Sequence, residues 1–114
     1  MSKTLIPITG RVVAITGGAR GLGLATAKEL ASRGALVTIA DIDDAAANKL
    51  AGEIGGKAWV VDLLDVAALE GLRLETDILV NNAGVQSINS IVDFPPERFR
   101  TLLTLMVEAP FLLI

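Results

Sequence analysis

Short apolar runs rich in β-branched residues alternate along this chain with stretches whose apolar positions recur at helical spacing. "RVVAIT" (Arg11 to Thr16) reads as a buried strand. A glycine-rich turn follows, and then "LGLATAKELASRGA". There Leu22, Ala25, Ala27 and Leu30 form the expected inner face of a helix, and Gly34 is its natural stop. "LVTIAD" (Leu36 to Asp41) predicts a second strand. "DDAAANKLAGEIGG" predicts a second helix, led by acids and closed by Gly55 and Gly56. "AWVVDL" predicts a third strand ending near Asp62, "DVAALEGLRLE" a short helical stretch, and "DILVNNAG" a fourth strand with its following turn. Pro95 and Pro96 open a last helix, where proline in the first turn costs little, and Pro110 is expected to kink or end it.

Strands separated by helices of this length imply right-handed βαβ units and a parallel sheet. The expected fold class is therefore α/β, a Rossmann-like doubly wound sheet with strand order 3-2-1-4, formed by residues 1–114 as one partial domain. In that order the crevice outside the carboxyl ends of strands 1 and 4 is the switch point at which ligands bind.

Composition narrows the function. Hydrophobic residues make up 52% of the chain and the mean hydropathy is +0.58, which argues against disorder and for a sheet covered on both faces or apolar surface awaiting a partner. The net charge of -3 and the absence of a basic run make nucleic acid a poor partner. With no cysteine and no histidine, disulfides and thiolate metal sites are excluded, and a zinc site would need carboxylates alone. "MSKTLIPITGRV" lacks the apolar stretch of a signal peptide, so the cytoplasm is the expected compartment. The tail "TLLTLMVEAPFLLI" falls short of the about 20 residues needed to cross a bilayer and is interrupted by Glu108, so no membrane role is expected.

The chemistry concentrates in "TGGARGLG" (Thr16 to Gly23). Gly17 suits a tight turn leaving the first strand. Gly21 leaves room for phosphates at a helix N-terminus, where unpaired N–H groups and the helix dipole favour an anion, and Gly23 permits close helix–sheet packing. Such spacing is weak alone, but here it follows a strand, opens a helix and has an acid at the end of the next strand. That acid, Asp41, can accept from both hydroxyls of an adenosine ribose and would repel a 2′-phosphate, which favours NAD over NADP. Arg20 pulls the other way, since a guanidinium in the turn could reach a 2′-phosphate. A competing reading makes Asp41 a helix N-cap, a task Asp43 or Asp44 could also perform.

"TGGARGLG", "NNAG" (Asn81 to Gly84) after the fourth strand and Asp62 after the third together resemble the short-chain dehydrogenase/reductase family, in its N-terminal half. The resemblance implies an NAD-dependent oxidoreductase whose cofactor is lined by Gly17, Arg20, Gly21, Leu22, Gly23 and Asp41. It adds Asp62 and the Leu63 backbone at the adenine, and Asn82, Ala83 and Gly84 near the nicotinamide ribose. Asn81 would brace the sheet. From about residue 58 onward, "AWVVDL", "DILVNNAGVQ" and "FPPERF" resemble one branch, the bacterial 3-hydroxybutyrate dehydrogenases. There a glutamine after the turn helps hold the carboxylate of a small hydroxy or keto acid. Gln86 matches it, with an ordinary exposed loop residue as the competing reading.

The family's acid/base chemistry uses a serine and a Tyr-x-x-x-Lys set. The sequence contains no tyrosine and stops before the region where these positions would fall, so no catalytic residue is assigned and these residues alone are not expected to turn over substrate. A family asparagine of the last helix falls at Met106, and a thioether cannot anchor a proton relay as an amide does. That helix carries Phe99, Leu102, Leu103, Leu105, Met106, Val107, Phe111 and Leu112 on several sides, and in the family it lines a dimer interface. Self-association and marginal stability are expected. The alternatives to an oxidoreductase half are a dinucleotide-binding module without turnover and an inactive truncated product.

Overall fold

The structure, a computed structural model, describes residues 7–85 and 89–114. Four strands, β1 (Val12–Thr16), β2 (Leu36–Asp41), β3 (Lys57–Val60) and β4 (Ile78–Val80), form one parallel sheet in the order β3-β2-β1-β4. This is the Rossmann-like 3-2-1-4 arrangement expected from the alternation of strands and helices. Ile15 at the centre of the sheet pairs with Ile39 on one side and Val80 on the other. The third strand is shorter than "AWVVDL" suggested: pairing ends at Val60, and Asp62 starts a turn in which its Oδ1 accepts from the Leu64 N–H at 2.9 Å.

Helices α1 (Gly21–Ser32) and α2 (Asp44–Ile54) cover one face. Val13, Ile15, Val37 and Ile39 alternate toward them and pack with Ala27, Ala47 and Leu50 into the larger core. The buried face of α1 is the expected one at Ala27 and Leu30 and differs at its start. Leu22 and Ala25 are exposed, while Gly23 and Ala27 are buried and Leu24, Leu30 and Ala31 pack against the core. The reason is the close approach at Gly23, which turns the helix so that its small residues meet the sheet. Gly34 ends α1 as expected: its φ is +91°, its N–H donates to the Ala31 carbonyl (3.0 Å), and the Ala35 N–H donates to that of Leu30 (3.1 Å). Asp43 caps the start of α2 by accepting from the Ala46 N–H, and left-handed Gly55 closes its end.

The opposite face is covered by less. Short α3 (Val66–Leu69) and the C-terminal helical segment enclose a second core of Leu63, Leu69, Ala109 and Leu113, with Trp59, Val61, Leu79 and Leu105 packed beside it. The last helix is one continuous run in three registers: α4 (Pro96–Leu103), a π turn (Thr104–Glu108) and α5 (Ala109–Leu113). Instead of a simple kink, the wider turn lets the Ala109 N–H donate to the carbonyl of Thr104 just before Pro110. Pro110 has no N–H to continue the α pattern, and its ring would crowd the carbonyl four residues back, so the register loosens there. Among the described residues, no helix is long and apolar enough to cross a membrane.

Candidate functional site

All four strands run the same way, so their carboxyl ends and the turns that follow share one rim of the sheet. At that rim Thr16 ends β1 and acts as a clasp. Its Oγ1, on a side chain only 1% exposed, accepts from the N–H groups of Asn82 (3.0 Å) and Ala83 (3.1 Å) and donates a long bond to the Val80 carbonyl at 3.5 Å. Gly17 follows with φ +64°, its N–H bonded to the Ala40 carbonyl at 2.7 Å. A Cβ there would lie 2.9 Å from the Ala83 Cα, so only glycine allows the two turns to touch. Asn82 Nδ2 donates to the Gly17 carbonyl at 3.1 Å and completes the join. The bracing expected of Asn81 therefore falls to Asn82. Asn81 is exposed just past the end of β4.

Gly23 lies behind this join. A Cβ on it would overlap the Gly17 carbonyl oxygen and sit 2.6 Å from Asn82 Nδ2. Gly21 has φ +59° and nothing within 4 Å of a Cβ built there, so its constraint is backbone conformation, with open space in front. The first turn of α1 has no side-chain cap and no acid, and its N-terminus is left to whatever approaches it. α2 has both a cap and an acid in its first turn.

Asp41 stands at the tip of β2. Its Oδ2 accepts from the Ala19 N–H (3.2 Å) and its Oδ1 from the Asp43 N–H (3.0 Å). The carboxylate thus joins the glycine-rich turn to the β2–α2 turn, and Asp43, not Asp41, is the N-cap of α2. Each oxygen keeps a second acceptor direction. Arg20 folds onto Asp43, with Nη2 2.7 Å from Oδ2.

These elements enclose a cleft of about 530 Å³. Of the residues singled out in the sequence, Gly17, Arg20, Leu22, Asp41, Asp62, Leu63, Asn82, Ala83 and Gly84 line it. Gly21 and Gly23 do not: one sets the helix start and the other the packing behind it. Gln86 lies outside the described residues. The sequence reading missed the apolar walls, Ile42, Val61, Leu64, Val85 and Leu105, because they come from three separate turns and the last helix and no local pattern marks them. It also missed Thr16, although a hydroxyl ending a buried strand immediately before a glycine turn was a usable signal. Met106 Cε lies 3.2 Å from where a Gly84 Cβ would be, so the thioether closes over the turn after β4. The cleft joins an open helix N-terminus, suited to an anion, with a pre-oriented carboxylate, suited to hydroxyl donors, between apolar walls suited to flat rings. Among the described residues no cluster of histidine, cysteine, aspartate or glutamate could hold a metal ion.

Comparison with known proteins agrees with this geometry. The family model described as short chain dehydrogenase matches residues 11–114. The chain is 37% identical to the uncharacterized oxidoreductase YxjF of Bacillus subtilis over 90% of its own length and 44% of the relative's. It is 33% identical to D-beta-hydroxybutyrate dehydrogenase of Cupriavidus necator, over 91% of this chain and 45% of that one. Among solved structures, 3-ketoacyl-(acyl-carrier-protein) reductase from Brucella melitensis, complexed with NADH, superposes with a TM-score of 0.81 at 32% identity, covering 92% of this chain and 48% of that one. The chain spans about half the length of the curated relatives it matches. A parallel 3-2-1-4 sheet, a glycine-rich turn clasped to the turn after β4, and a family match reaching from β1 to the last residue lead to one conclusion: the chain belongs to the short-chain dehydrogenase family.

Proposed function

We propose that these residues form the dinucleotide-binding half of a nicotinamide-dependent oxidoreductase, with NAD preferred over NADP. The observation that carries this reading is Asp41, whose carboxylate is held by two backbone N–H groups at one end of a cleft that the uncapped start of α1 also borders. Fixed in this way, each oxygen can accept one ribose hydroxyl without reorganising, whereas a 2′-phosphate would meet the charge of Asp41. A pyrophosphate suits the α1 N-terminus, where φ +59° at Gly21 and the open space before it would let the backbone approach. Asp62 and the backbone of Leu63 would receive the adenine, and Asn82, Ala83 and Gly84 the nicotinamide-side ribose. The volume of the cleft lies in the range of small-molecule sites. Support also comes from the Brucella reductase, which is complexed with NADH.

When bound, the nicotinamide supplies the hydride exchange. The role of this chain's residues is to hold and orient, since none of the 114 is tyrosine or histidine and no acid/base step is assigned to any of them. The proposed substrate is a small hydroxy or keto acid of the 3-hydroxybutyrate/acetoacetate type, with Gln86 as its carboxylate partner. The support is the similarity to the Cupriavidus enzyme and the capacity of an amide to donate to a carboxylate. The lack of tyrosine and histidine equally suits a second reading, a module that binds dinucleotide without turnover.

Fluorescence titration with NADH and NADPH, wild type beside Asp41→Ala, tests the cofactor assignment. Wild type is expected to bind NADH more tightly than NADPH. Asp41→Ala should weaken NADH about tenfold to a hundredfold, the loss of hydrogen bonds to a charged group, and narrow the difference between cofactors. Equal and unchanged affinities in both proteins would remove the ribose role. Oxidation of 3-hydroxybutyrate by the NADH-binding chain would decide against the binding-module reading.

A further inference from the structure

On the reading that the cleft takes a nicotinamide dinucleotide, we infer that Asp43 is a specificity-determining residue: by holding Arg20 it keeps the guanidinium of the glycine-rich turn from a 2′-phosphate. Arg20 and Asp41 line the same cleft, and they favour opposite cofactors. A cation in the turn invites the phosphorylated ribose, and an acid at the strand tip repels it. What decides between them is where the guanidinium is held.

The structure places it on Asp43, Nη2 to Oδ2 at 2.7 Å. The two partners are unequal in freedom. Asp43 is tied down by its own surroundings: Oδ1 accepts from the Ala46 N–H at 3.0 Å as the cap of α2, its N–H donates to Asp41 Oδ1 at 3.0 Å, and its carbonyl accepts from the Ala47 N–H at 2.9 Å. Moving its carboxylate would uncap the helix. Arg20 has a long side chain that is 72% exposed, and among the described residues its one ion pair is with Asp43, so the mobile partner follows the fixed charge. The neighbouring acid, Asp44, is engaged with Asn48 Nδ2 on its own helix and does not compete. With both partners partly in water, the pair adds little to stability. Its effect is on selectivity: it engages the guanidinium that, among the described residues, is the one cation lining the cleft.

Asp43→Asn separates the two tasks of the residue. Asparagine caps a helix as well as aspartate does, so α2 keeps its cap while the charge that holds Arg20 is gone. NADH and NADPH are titrated against the 114-residue chain as wild type, Asp43→Asn and Asp43→Asn/Arg20→Gln, with cofactor fluorescence as the readout and the emission of the single tryptophan, Trp59, as the check on folding. The ratio of the NADPH Kd to the NADH Kd is expected to fall about twofold to fivefold in Asp43→Asn, the scale of one exposed ion pair given up, and most of that fall should be undone in the double variant. NADPH binding by Asp43→Asn should also weaken more steeply with added salt than wild-type binding does. Should Asp43→Asn perturb the tryptophan emission, Asp43→Ser, another good cap, is expected to give the same ratio. An unchanged ratio in a protein that binds NADH, or a fall mostly kept without Arg20, would overturn this inference and leave the dinucleotide reading standing. A wild-type chain that binds neither cofactor would overturn both.

Discussion

Thr16 shows how one hydroxyl can organise a cleft without lining it. It is, among the described residues, the one polar side chain shut away from water, and it accepts two N–H groups from the turn that begins at Asn82. Together with the Asn82 amide on the Gly17 carbonyl, it fixes the distance between the two turns that border the cleft. Replacement by valine keeps the shape and removes the acceptor. Thr16→Val is expected to lose about 1–3 kcal/mol of stability, the cost of leaving buried donors unpaired. Thr16→Ser, which keeps the oxygen, should lose only the about 1 kcal/mol of a methyl group. Urea unfolding of the three proteins checks this. A Thr16→Val midpoint at or above wild type would mean that the clasp adds nothing.

Elements differ mainly in how their ends are satisfied. α2 is closed at both ends by its own sequence, with Asp43 before it and Gly55 after it. α1 has a tight stop at Gly34 but an N-terminus with no cap, and that open end borders the cleft. Local stability is given up where a ligand can supply the missing acceptor. The glycines divide on the same principle. Gly23 cannot be changed without overlap at Gly17 and Asn82, whereas Gly52, inside α2, has nothing within 4 Å of a Cβ and no unusual φ. Gly52→Ala is therefore expected to stabilise the chain by about 0.5–1 kcal/mol, read as a rise of a few degrees in the melting temperature by circular dichroism. A fall in melting temperature would show that α2 needs flexibility at that point.

At the scale of the whole molecule the two faces of the sheet are unequally covered. The face under α1 and α2 has a continuous core, while the other relies on four buried residues and the flank of the C-terminal helical run. That run turns Ala109 and Leu113 inward and leaves Phe99, Leu103, Val107 and Phe111 outward at a spacing of one helical turn, with Phe111 73% exposed. An apolar stripe of this kind on a helix calls for a cover. Association of two copies through it is the expected outcome, seen in light scattering as a species heavier than the 11.9 kDa chain. Phe111→Glu should shift the distribution toward monomer, since a charge cannot be buried unpaired at such a contact. A wild-type chain that elutes as a clean monomer and melts sharply would argue against this.

Much of this protein is written in contacts between near neighbours, and that part was legible beforehand. Strand and helix periodicity, the stop at Gly34, the acids leading α2 and the acid at the tip of β2 all depend on residues a few positions apart. Order and direction of the strands followed from the handedness of βαβ connections, which needs no side-chain detail. The rest was settled by residues that meet only after folding. Thr16 reaches across 66 positions to the Asn82 N–H, Arg20 across 23 to Asp43, and the apolar walls of the cleft come from separate turns. The first turn of the inner face of α1, at Leu22 and Ala25, was misread for the same reason: the close approach at Gly23 puts that glycine inward, and the approach exists only once β1 and β4 lie side by side. Sequence by itself determined the elements and their order, and it marked Gly17 and Asp41, which the fold brings to one cleft, because turn chemistry and periodicity are local. Tertiary structure alone decided which amide braces the rim and which acid holds the arginine, because those choices depend on distances that the chain acquires only when its ends of strands converge.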